Sequence, residues 1–140
     1  MKGLDNLIRL HRWKLDEKRR KMTDLERLKM ELEAQAVRLK QDMTSEAEVV
    51  RGSRPEMRFG YSTWLESALL RRDTIEQSLN NLCVQIAHCH DEVTAAFQDV
   101  KRYEMVAESQ ARQARNHAAR LEQADYDETG VDQFRRRTQA

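Results

Sequence analysis

One proline and four glycines are spread over 140 residues. A fold made of many short elements needs such residues at every turn, so their scarcity excludes one. Aromatic residues make up 6% of the chain and apolar residues of all kinds 39%. That is too little to cover a core facing several directions, and a single apolar seam is what remains. The two cysteines, Cys83 and Cys89, fall inside a helical pattern and form no disulfide framework. A reducing cytoplasm suits them. Long apolar runs are missing as well. Lys2 and Asp5 flank the start, and charges from Arg9 onward break every stretch, so neither a secretory leader nor a membrane insertion is expected. An excess of one charge is also lacking: 25 basic and 24 acidic side chains leave a net +1. That balance, with a regular apolar period, argues against a disordered chain.

Charge and periodicity are abundant. Charged residues account for 35% of the sequence, the mark of long helices. Read in alternating steps of four and three, the first arm gives Leu4, Ile8, His11, Leu15, Lys18 and Met22. It continues through Leu25, Lys29, Leu32, Ala36, Leu39, Met43 and Glu46 to Val50. A repeat averaging about 3.5 residues specifies a left-handed coiled-coil seam. The pattern stops at Gly52-Ser53-Arg54-Pro55, with Gly60 close behind. Thr63 and Glu66 have the spacing of a capping box for a second helix. The second seam runs Tyr61, Leu65, Ala68, Arg72, Ile75, Leu79 and Leu82, then Ile86, Cys89, Val93, Ala96, Val100, Tyr103 and Ala107. It weakens at Gln110, Ala114 and His117 and fades near Asp125.

One apolar stripe is not stable alone in water, and two stripes joined by a short break can bury each other. The expected fold is all-α, a two-helix antiparallel coiled coil with the longer helix C-terminal, in one domain over residues 1–140. The helices are placed at about 3–50 and 63–126, the break at about 51–61 and a flexible tail at about 127–140. At 1.5 Å per residue the arms span roughly 70 and 95 Å, so the stretch from about Gln110 overhangs unpaired.

No catalytic constellation emerges. Cys83, His88, Cys89 and His90 cluster, but Cys83 and His90 lie roughly 10 Å apart along a helix, too far for one tetrahedral zinc. His88 and Glu92 are well spaced, and two ligands do not make a site. No glycine belongs to a phosphate-binding loop. A helix pair offers no concave wall for a nucleophile and its base. Neither an enzyme nor a metal or cofactor site is therefore expected. Lys14, Lys18, Arg19, Arg20 and Lys21 form a basic run, and Arg135-Arg136-Arg137 another. Without interleaved aromatics this reads as a charged face for a protein partner before it reads as a nucleic-acid surface. With Ile8 and Leu15 at heptad position a, Trp13 falls at f, opposite the seam, as do Leu70 and Met105; Trp64 falls at g. A tryptophan facing solvent marks a binding surface more strongly than a lone aliphatic residue does. In an antiparallel hairpin, Trp13 and Lys14 would share one end with the arginine tail.

The sequence resembles the FliJ family, small soluble components of the bacterial flagellar type III export apparatus. The resemblance runs over nearly the whole chain. It rests on Leu4-x-x-Leu7-Ile8-Arg9, the charged Leu15-Asp16-Glu17-Lys18, the break after the first arm and Tyr61-x-x-Trp64. It ends on Val131-Asp132-Gln133-Phe134, where Gln133 departs from the family's acidic residue. The resemblance implies a stalk-like coiled coil that binds the hexameric export ATPase, the membrane-embedded export gate and export chaperones, in the cytoplasm at the inner membrane. Carried over by position, the ATPase-binding tip is Ile8, Arg12, Trp13, Lys14, Phe134 and Arg135, and the gate-binding face is Tyr61, Trp64, Ala68 and Arg71. Arg71 departs from the apolar character of that face. The stalk protein of a virulence-type secretion system, a generic coiled-coil adaptor and an RNA-binding helical hairpin are the alternatives.

Overall fold

The structure is a computed structural model and describes residues 2–139. It holds two helices, α1 (Lys2–Arg51) and α2 (Pro55–Gln139), and no strand among the described residues. The second helix is the longer, at 85 residues against 50.

The break is tighter than the sequence reading places it. The turn occupies only Gly52, Ser53 and Arg54. The Ser53 N–H donates to the Val50 carbonyl at 3.1 Å, and the Ser53 hydroxyl donates to that of Val49 at 2.7 Å. Both bonds satisfy carbonyls that a helix end leaves free. Pro55 then opens α2 instead of delaying it. At the first helical position its missing N–H costs nothing and its fixed φ already suits a helix. Thr63 is consequently not a cap. It lies in the third turn of α2, and its hydroxyl donates back to the Phe59 carbonyl at 3.4 Å. At the other end, α2 continues through the stretch expected to be a tail, and Gly130 is helical. One helix glycine costs about 1 kcal/mol relative to alanine, too little to end a long helix.

Contacts group the chain into two units. One comprises Lys14–Ala96, the other Met1–Trp13 with Phe97–Ala140. In the first, Leu39, Ala68 and Ile75 form a buried cluster with Ala36, Met43, Trp64 and Leu79 packed against it. Leu15, Leu82 and Cys89 are buried in the same unit, and the Cys89 thiol donates to the Lys18 carbonyl at 3.7 Å. Up to Ala107, every expected seam position is withdrawn from solvent except two. Glu46 is exposed and Ala47 takes the inward place. Arg72 is exposed beside Asp73 and Glu76, at 3.9 and 4.0 Å. In both cases a charged group stays hydrated instead of entering an apolar seam, where burial without a partner is costly.

In the second unit Ile8 and Val100 are buried. His11 stacks on Tyr103 with ring centroids 4.6 Å apart, and Ile8 lines a shallow groove with Ala107. From Glu108 to Gln139 every residue of α2 is exposed.

Candidate functional site

Among the described residues no three His, Cys, Asp or Glu side chains gather to hold a metal ion. His88 does meet Glu92, with Nε2 at 2.8 Å, but the other partner of Glu92 is the Lys18 ammonium from α1, which is no metal ligand. That hydrogen bond to Lys18 is the main reason the Glu92 carboxyl ionises below its ordinary range. Partial desolvation opposes it, and the charges of Lys18, Lys21 and His88 add to it. Glu104 is shifted the same way in the other unit, chiefly by its hydrogen bond from Arg12 at 3.1 Å, with Lys101 contributing. These are ion pairs that fix side chains across two helices. Each carboxylate is already occupied by cations.

The residues assigned to an ATPase-binding tip divide sharply. Ile8 is buried and supports the seam. Arg12 is exposed but holds Glu104, so one of its faces is committed. Trp13, next to it, is 60% exposed, as its position opposite the seam requires. Lys14 is exposed on the same helix. Phe134 and Arg135 are exposed as well, but they are not brought to Ile8 and Trp13. Ala107 is the residue of α2 that lies across from Ile8, and Phe134 follows about 40 Å further along an unbroken helix. The single tip of the sequence reading is thus two separate surfaces. The sequence places a flexible tail at about 127–140 and sets it beside Trp13 on the strength of the antiparallel hairpin; α2 is instead helical through Gln139, which carries Phe134 away from Trp13.

The gate-binding assignment is also mixed. Tyr61 and Trp64 lie one turn apart with ring centroids 6.1 Å apart, both half-buried. Ala68 is in the buried cluster and cannot touch a partner. Arg71 is exposed beside Gln35, Arg38 and Asp42. The residues missed by sequence reasoning adjoin this face. Val49, Met57 and Phe59 are exposed around the turn, and Val49 and Met57 line a shallow groove with Tyr61 and Trp64. Their signal was present as two apolar residues between Pro55 and Gly60. Treating that stretch as a break left no helix face on which to place them.

No described helix is long and apolar enough to cross a membrane. What the structure offers chemically is surface: an exposed tryptophan on α1, an apolar rim at the turn and a fully exposed end of α2. No curated protein and no solved structure matches the chain. The family model described as flagellar FliJ protein matches residues 1–139. The chain therefore belongs to the flagellar FliJ protein family, components of the flagellar export apparatus.

Proposed function

We propose that this protein is a non-catalytic stalk- or adaptor-type component of flagellar protein export, binding the export ATPase ring, the export gate and export chaperones. The observation that carries the reading is the family match over residues 1–139. It favours the flagellar system over a virulence-type one and over a generic or RNA-binding hairpin. In this reading α1 and α2 pair as an antiparallel coiled coil. Partner numbers support the direction within each unit: Lys18 meets Glu92, while Val50 shares a groove with Tyr61. Likewise, Ile8 shares one with Ala107, while Arg12 meets Glu104. The protein works in the cytoplasm and is held at the inner membrane by its partners.

Two surfaces serve the ATPase. Trp13 supplies a rigid anchor, with Arg12 and Lys14 as flanking positive charge, and Phe134 with Arg135 supplies a second contact. Ile8 acts from within, by holding that part of α1. Tyr61, Trp64 and Arg71 face the gate, and Ala68 supports them from the core. Binding changes the ATPase only if one arrangement of its subunits is bound better than another. The test is a variant carrying Trp13→Ala and ending after Gly130, compared with the parent for binding and turnover of the purified ATPase. Both changes remove exposed groups, so helix content stays high while binding weakens and stimulation is lost. Equal binding and stimulation by both forms would discard the ATPase assignment and leave the face around Trp64 as the working surface.

A further inference from the structure

We infer that one flank of the helix pair, beside the turn, is shaped for an amphipathic helix of the partner protein. That helix carries an acid, a base and an apolar anchor in this order along one face, the anchor seated at Gly60. The inference rests on the export gate as the partner of this face and deepens that reading by giving the chemistry of the segment bound.

Gly60 lies inside α2, where a glycine weakens the helix relative to alanine. Nothing within the chain calls for it. Its φ is not left-handed, and a Cβ built there meets no atom within 4 Å. It lines the shallow groove at the turn with Val49, Met57, Tyr61 and Trp64, and Glu46 is the one charged residue of that lining. A side chain at position 60 would take up part of the groove. Its absence leaves room for a side chain brought from outside. Val49 and Met57, each 63% exposed, make that visitor apolar.

Further from the turn the same flank becomes charged. Arg38, Asp42 and Glu46 follow at steps of four on α1. Arg71 lies beside Arg38 and Asp42, two turns from Trp64 on α2. All four charged residues are exposed. Among the described residues none of them belongs to an ion pair. Asp42 and Glu46, four residues apart, repel each other along the helix. The pattern on the flank is thus two cations, then two anions, then an apolar hollow. From Arg38 to Val49 it spans eleven residues, roughly 16 Å. A helix lying alongside presents its own side chains at the same spacing. Its acid meets Arg38 and Arg71, and a base four residues away meets Asp42 and Glu46. An apolar residue seven further fills the hollow, since steps of four and seven stay on one helix face.

The test measures binding of the full-length chain to the purified export gate protein. Gly60→Leu should weaken binding roughly tenfold or more while helix content and melting temperature do not fall. Ser62→Leu adds the same side chain on the other face of α2 and should leave binding unchanged. Arg38→Gln with Arg71→Gln, and Asp42→Gln with Glu46→Gln, should each weaken binding by a similar factor. These four residues are exposed, so the two variants decide the matter even if Gly60→Leu disturbs the turn. A photoreactive residue in place of Ser45, between Asp42 and Val49 on the same stripe, should capture a gate helix with the stated order of acid, base and apolar residue. A parent chain that does not bind the gate ends the gate reading and the inference together. A parent that binds, with Gly60→Leu and both charge variants binding equally well, ends the inference alone. So does capture of a segment without that order.

Discussion

At the scale of single residues, the seam is thin enough that each buried side chain matters. Leu82 is 4% exposed in a layer with only one facing helix to collapse onto it. Leu82→Ala is expected to cost about 2–3 kcal/mol, the lower part of the range for buried leucines, read as a fall in the urea midpoint. Ile86→Asp on the same stripe is expected to cost more, since an ionised carboxylate would replace a branched aliphatic side chain facing the seam with no cation assigned to it. An unchanged melting temperature for either would show that the helices pair elsewhere. Gly60 offers the opposite case. It lies within α2, none of the described glycines has a left-handed φ, and a Cβ built there meets nothing within 4 Å. Gly60→Ala should therefore stabilise the protein by up to about 1 kcal/mol, seen as a higher denaturation midpoint.

At the scale of the element, α2 changes character along its length. Between Leu79 and Val100 it alternates buried and exposed residues, and from Glu108 onward it is exposed on all sides. Helical hydrogen bonds there are protected only by the helix itself, whose opening costs little without packing. Hydrogen exchange at low protein concentration should be fast for residues 108–139 and slow for 79–100. Equal protection of both stretches in dilute solution would contradict the unpaired end. The acid at Glu56 in the first turn of α2 and the arginines Arg136 and Arg137 in its last turn suit the helix dipole at both ends. That helps to explain why the C-terminal part stays helical where the sequence reading expects a tail.

At the scale of the whole molecule, two cross-helix ion pairs give stability a pH dependence. Glu92 and Glu104 both ionise below the ordinary carboxyl value of 4.5. A carboxyl held lower in the folded state than in the unfolded one binds fewer protons when folded. Its contribution is fully present above about 4.5 and is lost as pH falls through the lowered value. Thermal stability should accordingly decline below that pH, and the double variant Glu92→Gln, Glu104→Gln should flatten the decline while lowering stability at neutral pH. The groups sit near the surface, so the effect is modest and shrinks with added salt. An acid limb of equal steepness in the double variant would assign it to other carboxyls.

The sequence by itself determined the helices, their number and nearly every inward position. A period near 3.5 fixes which side chains share a face, and that relation is local. It placed Trp13, Leu70 and Met105 outside, where the structure has them. It also anticipated that the pairing would run out near Gln110, because the arm after the break is longer than the arm before it. The tertiary structure alone decided what happens where local rules conflict. Pro55 can end one helix or begin the next, and the three-residue turn selected the second. Glu46 and Arg72 occupy seam positions by count, and the cost of dehydrating them kept both outside. Ile8 and Ala68 matched family positions for binding, yet packing against the opposite helix buried them. The separation of Phe134 from Trp13 was likewise not local. It follows from α2 remaining an unbroken helix for about 40 Å past the last residue that packs against α1, which depends on where the two seams stop matching.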